Sequence, residues 1–209
     1  TVYAPEGQRA EVILSDGTKV WLNAKSSITF PNQFSNKDRV VELDGEAYFD
    51  VTHDETNKFI VKTEGYQVMV HGTEFNVNAY SHSDNFETAL IEGSVEVVSN
   101  ATNESIMLLP NSRAYEENNK LLVAKIESQD QFLWKKGILF FEKQNVEELF
   151  EKLELYYDVK IEVRNKEILT HQYTGKFWTK DGVEHVLKVL QLRHNFKYTK
   201  DNLNNIIIY

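Results

Sequence analysis

Six histidines, thirty-two aspartates and glutamates and no cysteine bound the chemistry these 209 residues could carry. The closest grouping of metal-binding types is His71, Glu74, His82 and Asp84. A metal site on a strand wants two histidines alternating on one face with a carboxylate beside them. His71 and Glu74 are three apart, hence on opposite faces of a regular strand, and residues 81–85 read as a polar loop. Surface or turn histidines are the better reading. Glu46 with Asp50, or Glu92 with Glu96, could be imagined as a glycosidase pair, whose carboxyls stand about 5–10 Å apart across a cleft. Residues four apart on a strand share a face but are roughly 13 Å apart by rise alone, so neither pair qualifies locally. Without cysteine there are no thiol nucleophiles, thiolate zinc sites or disulfides, and GxSxG, Walker, GxGxxG and HExxH motifs are all missing. The chain reads as a non-enzyme with no cofactor and no metal.

Binding is the remaining chemistry. The twelve phenylalanines, ten tyrosines and three tryptophans suit either a core or a contact surface. Trp21 and Trp134 sit among apolar neighbours and read as core, whereas Trp178 ends a strand just before polar Thr179-Lys180 and reads as surface. The closing Ile206-Ile207-Ile208-Tyr209 lacks alternation, as a buried central strand would. As an edge it would instead offer unpaired backbone to a partner strand. Phe177, Trp178, Ile206 and Ile208 are therefore the candidate partner-binding residues. Nucleic acid and anionic lipid are poor partners for a chain of net charge −9 and pI near 5.2, because both need a basic footprint. The acidity is local: residues 1–137 hold 12 Lys and Arg against 21 Asp and Glu, and residues 138–209 hold 11 against 11. The neutral part is the better docking surface. No apolar run approaches the about 20 residues that span a bilayer. The chain opens at Thr1 without a signal peptide, so it reads as an excised soluble part of something longer, its anchor removed.

Two kinds of element must carry these residues. Through the first two thirds, short β-branched and aromatic runs are punctuated by Asp16-Gly17, Asp44-Gly45, Glu64-Gly65 and Glu92-Gly93, each a hairpin signal, with Asn118-Asn119 as a further turn. The hairpins expected are 11–14 with 19–22, 40–43 with 46–51, 59–63 with 67–70, and 88–91 with 94–98. With 106–109 and 121–126 this gives ten or eleven strands, an all-β domain over residues 1–133 that is a sandwich, a barrel or a short solenoid. After Lys136-Gly137 the period changes. Val146, Leu149, Phe150, Leu153 and Tyr157 share one helix face, with Asn145 and Glu148 as a capping box. A second helix carries Val183, Val186, Leu187 and Leu190, with Asp181 as its cap. Shifting by 37 residues lays Phe140 on Phe177, Val146 on Val183, Leu153 on Leu190 and Lys160 on Lys197. Residues 134–209 thus read as an α+β domain of two βαβ units closed by a last strand.

Specific strings then suggest a family. Val2-Tyr3-Ala4-Pro5-Glu6-Gly7-Gln8-Arg9 and Leu14-Ser15-Asp16-Gly17-Thr18-Lys19-Val20-Trp21-Leu22-Asn23 resemble the opening of the FecR family of periplasmic sensor and anti-sigma regulators. Asp44-Gly45-Glu46-Ala47-Tyr48-Phe49-Asp50-Val51, Phe59-Ile60-Val61-Lys62-Thr63, His71-Gly72-Thr73-Glu74-Phe75-Asn76-Val77-Asn78-Ala79-Tyr80 and Glu92-Gly93-Ser94-Val95-Glu96-Val97 follow in family order. The segment from Trp134 through Phe140 to Tyr173-Thr174-Gly175-Lys176-Phe177 is similar to the second domain of Bacteroidetes-type members, related to the secretin and TonB short N-terminal fold. The resemblance implies a periplasmic signal-relay region of a single-pass transmembrane anti-sigma factor. Its partners would be the signalling domain of a TonB-dependent, SusC-like outer-membrane receptor and, through a cytoplasmic segment preceding Thr1, an extracytoplasmic-function sigma factor. It transfers no binding residues; the glycine-containing strings read as turn and packing chemistry. The rival from the residues themselves is a carbohydrate-binding module, which would need a groove of exposed aromatics in the β-domain.

Overall fold

The computed structural model describes every residue except Asn36, Asp84 and Asn119, so the readings placed on Asp84 and Asn119 lie outside the described residues. The chain forms two compact units, Thr1–Pro5 with Arg9–Gln129 and Glu6–Gln8 with Asp130–Tyr209.

The first unit is made of strands: β1 (Val2–Ala4), β2 (Ala10–Ile13), β3 (Lys19–Leu22), β4 (Ser26–Thr29) and β5 (Arg39–Asp50). There follow β6 (Phe59–Lys62), β7 (Tyr66–Val70), β8 (Glu74–Ala79), β9 (Glu87–Glu92), β10 (Val95–Ser99), β11 (Ser105–Leu108), β12 (Ser112–Glu117) and β13 (Lys120–Lys125). They build one thirteen-stranded sheet whose spine is the twelve-residue β5. The first half of β5 pairs with β4 and, in parallel, with β6, while its second half pairs with β3 and β8. One face therefore runs β1-β4-β5-β6-β7-β10-β11 and the other β2-β3-β5-β8-β9-β12-β13, and the sheet curls about the shared strand into a nearly closed, barrel-like form. Phe49 of β5 stacks on Phe75 of β8 with centroids 5.0 Å apart and meets Phe59 of β6 edge-on at 6.0 Å. Rings from both faces thus lock the curl, each such buried side chain contributing about 1.5–3 kcal/mol.

Gly45 makes the shared strand possible. The expected hairpin at Asp44-Gly45 does not form; the strand continues through Gly45 at φ +105°, where the two faces part. A Cβ there would lie 2.3 Å from Ser26 Oγ and 2.7 Å from Ser26 Cα, so both conformation and space demand glycine. The hairpin at Glu92-Gly93 is likewise replaced by a crossing between faces, since β9 lies between β8 and β12 whereas β10 lies between β7 and β11. The hairpins at Asp16-Gly17 and Glu64-Gly65 form as β2–β3 and β6–β7.

The second unit contains β14 (Ile138–Asn145), α1 (Val146–Tyr157), β15 (Lys160–Val163), β16 (Gln172–Trp178), α2 (Val183–Gln191), β17 (Tyr198–Lys200) and β18 (Asn205–Ile208). Strand, helix and strand occur twice in order, but the pairing is between the halves. β14 pairs antiparallel with β16, and β15 and β17 flank β18, parallel and antiparallel respectively. The apolar faces of α1 and α2 share one core with Leu139, Phe141, Phe177, Ile206 and Ile208. Asn145 caps α1, its side chain accepting from the Glu148 amide at 2.8 Å, while the Glu148 carboxylate accepts from the Gln144 side chain at 2.7 Å. The cap of α2 is Gly182 at φ +81°, one residue beyond the expected Asp181, which belongs to a 3-10 turn. That turn closes before α2 begins, so Asp181 is not free to cap it.

Candidate functional site

The residues singled out for metal or acid chemistry are spread over structural contacts. His71 Nδ1 lies 3.1 Å from the Asp54 carbonyl, Glu74 accepts a hydrogen bond from the Tyr48 hydroxyl at 2.9 Å, and the His82 ring packs against Tyr80. Among the described residues no group of three or more His, Asp or Glu side chains is placed to hold a metal ion. Burial and the Glu74 carboxylate push the Tyr48 hydroxyl well above the usual tyrosine range, so it remains the donor in that bond. The Glu46 carboxylate takes Asn23 Nδ2 at 2.7 Å and Asn76 Nδ2 at 3.0 Å, tying the chain after β3 to β5 and β8. Glu96 lies 3.6 Å from the Lys58 ammonium.

The signature strings resolve into the same kind of scaffold. Arg39, at the start of β5, is 4% exposed and donates to Asp16 Oδ2 and the Thr52 carbonyl at 2.8 Å each, and to the Asn57 carbonyl at 3.1 Å. Asp16 in turn accepts from the Thr18 amide and hydroxyl, which closes the β2–β3 turn, and the Thr18 hydroxyl accepts from the Thr52 amide at 3.2 Å. These acceptors meet both terminal nitrogens of the buried guanidinium, while its Nε is buried without a partner; burying the charge unpaired would cost several kcal/mol. Sequence reading missed Arg39; its only signal was a lone cation opening an otherwise apolar alternation. Of the Gly72-Thr73-Glu74-Phe75-Asn76 string, Thr73 donates to the Ser94 carbonyl, Glu74 serves Tyr48, Phe75 stacks in the core and Asn76 holds Glu46.

The four candidate partner residues fall into two groups. Phe177 is buried, and Ile206 and Ile208 are wholly buried in the second unit's core. β18 is paired on both sides, so it is a central strand and its backbone is spent. Trp178 alone presents its ring, at 49% exposure. It closes the β14–β16 ribbon opposite Ile138, with the Phe140–Lys176 pair beside it. The Lys180 ammonium lies 5.2 Å from the Trp178 ring, and the Lys176 ammonium lies 5.4 Å from the Phe140 ring and 2.7 Å from Asp130 Oδ2. Ring faces met by ammonium groups are amphipathic and hold their shape in water. Among the described residues β14 and β16 pair only with each other, so the ribbon also has unpaired backbone edges.

Comparison with known proteins adds a second line. The family model for FecR protein matches residues 1–96, and that for the FecR C-terminal region matches residues 138–208. Two crystal structures of a candidate anti-sigma factor from Parabacteroides distasonis ATCC 8503, at 1.65 and 2.50 Å resolution, superpose with TM-scores of 0.85 and 0.84. In both cases the sequences are 30% identical, and the match covers 100% of this chain and 97% of the other. No curated protein matches the chain significantly.

Proposed function

This chain belongs to the FecR family, and from that premise we propose that it is the periplasmic signal-relay region of an anti-sigma factor anchored in the inner membrane. The observation that carries the reading is the match along the whole chain to the Parabacteroides protein, at 30% identity, together with the two family models. The partner on one side is the signalling domain of a TonB-dependent outer-membrane receptor. On the other it is an extracytoplasmic-function sigma factor, reached through a segment outside this sequence.

The β14–β16 ribbon around Trp178 is the docking surface. It combines a half-exposed indole, half-buried Ile138 and Phe140, and unpaired strand edges in the part of the chain whose formal charge is zero. A partner strand added at an edge would take its hydrogen bonds from backbone and its anchoring from the indole. Phe177, Ile206 and Ile208 shape the ribbon from beneath rather than touching the partner. The test is a transcriptional reporter for the cognate sigma factor, in cells whose full-length regulator carries Trp178→Ala at unchanged protein level. Induction by the receptor's ligand should fall several-fold. Wild-type induction after deletion of the regulator would overturn the reading, and wild-type induction in the Trp178→Ala strain alone would overturn the choice of surface.

A further inference from the structure

The two open edges of the β14–β16 ribbon are not equivalent. Between Phe141 and Gln144, β14 carries one residue more than β16 does between Gly175 and Tyr173, which makes a bulge. Lys143 lies within it at φ +45°, and its amide donates to Thr174 Oγ1 at 2.8 Å. A bulge bends the strand that carries it and breaks the spacing of its amides and carbonyls. Exposed Glu142 and Lys143 stand at the same place, charges of the kind that keep native edges from pairing. Only residues 138–141 of β14 remain regular. β16 has none of these features: its seven residues contain no proline and no positive φ, and Lys176 is its one charge. Tyr173 and Phe177 are buried in the second unit's core, while Gln172, Thr174, Lys176 and Trp178 are exposed in alternation with them. A strand laid beside β16 thus meets an outward row that ends in an indole. Cross-strand neighbours on one face stand about 4.5–5.5 Å apart, close enough for an apolar side chain to cover that ring.

Charge adds a second requirement. Both Lys176 and Lys180 lie over rings, but only Lys176 has its charge met, by Asp130. Lys180 belongs to the 3-10 turn directly after β16, is exposed, and among the described residues forms no ion pair. Its ammonium is held beside the indole with donors to spare, where an arriving carboxylate would make a charge-assisted hydrogen bond. We propose that the partner docks by adding a strand to the edge of β16 rather than β14, and that this strand sets an apolar residue on Trp178 and an Asp or Glu carboxylate on Lys180. The proposal rests on the reading of the ribbon as the docking surface, and it names the edge used and the chemistry of the strand that takes it.

The experiment combines calorimetry with amide hydrogen exchange, on this chain alone and with the purified signalling domain of a TonB-dependent receptor from the same organism. In the complex, amides of residues 172–178 that exchange freely in the chain alone should slow at least tenfold, and the freely exchanging amides of residues 138–145 should not change. Lys180→Glu should weaken binding about tenfold and Lys180→Gln several-fold. Lys160→Glu, the same charge change on exposed β15, should leave it unaltered. No binding by the unsubstituted chain would overturn the docking reading and this proposal together. Binding with slowed exchange on residues 138–145 or on neither strand, or Lys180→Glu no weaker than Lys160→Glu, would overturn this proposal and leave the docking surface standing. Concentration-dependent slowing of β16 in the chain alone would assign the edge to a second copy and overturn it as well.

Discussion

Gly45 shows how one residue type carries two structural meanings. An acidic residue followed by glycine supplies the backbone for a hairpin, and it equally supplies a corner where one strand passes between two faces of a sheet. Asp16-Gly17 and Glu64-Gly65 are the first, and Asp44-Gly45 and Glu92-Gly93 accompany the second. No local signal separates them, because the difference lies in whether distant residues have claimed the strand: Ser26, packed against Gly45 with its Oγ accepting from the Glu46 amide at 2.8 Å, and β8, pairing beyond the corner. Gly45→Ala forces an unfavourable φ and a clash with Ser26, and should lower the first unit's stability by about 2 kcal/mol or more. Gly65→Ala, with nothing within 4 Å of the added carbon, should change it by less than about 0.5 kcal/mol. Urea midpoints of the two variants check the contrast, and equal shifts would contradict it.

At the scale of elements, the helices of the second unit were legible and their strand pairing was not. Val146, Leu149, Phe150 and Leu153 on α1, and Val183, Val186, Leu187 and Leu190 on α2, are the buried residues that the 3.6-residue period selects. Periodicity is a local property. Pairing β14 with β16 across some thirty residues is set by the shared core, which no window of sequence displays. Four strands, β1, β4, β8 and β12, escaped the sequence reading; β12, for one, buries only Ala114 and is held by its neighbours β9 and β13. One contact between elements is sensitive to protons. His194, after α2, meets His171, before β16, with ring centroids 4.4 Å apart, and its Nε2 is buried without a partner. Burial first, then His171 and Arg193, hold the His194 imidazole below its ordinary value of 6.5. A depressed histidine favours the folded state at pH above 6.5, and that contribution is lost as pH falls through the folded-state value, because the unfolded chain binds the proton first. The second unit should lose thermal stability on acidification below pH 6.5, and His194→Gln should flatten that loss. An identical pH profile in the variant would contradict the assignment.

The whole molecule divides its charge and its roles. The formal charge of −9 belongs to residues 1–137, and the remainder is balanced. Within the acidic part, charge serves three ends: Asp16 neutralises buried Arg39, Glu46 and Glu74 anchor polar side chains across the sheet, and Glu64, Glu116 and Glu117 line a cleft. Composition reported the sum and could not separate these uses, since only the fold decides which carboxylates meet a partner. Family strings located the scaffold well because they record what the fold requires: turn, corner and buried acceptor. They are silent on docking for the same reason, as Trp178 and its lysines are consequences of a surface rather than of a packing rule. The proposed relay requires that this region contact a receptor directly. Isothermal titration of this chain with the purified periplasmic signalling domain of a TonB-dependent receptor from the same organism tests that proposal. Saturable one-to-one binding that Trp178→Ala weakens at least tenfold is expected; heat no greater than dilution, with both proteins folded, would contradict it.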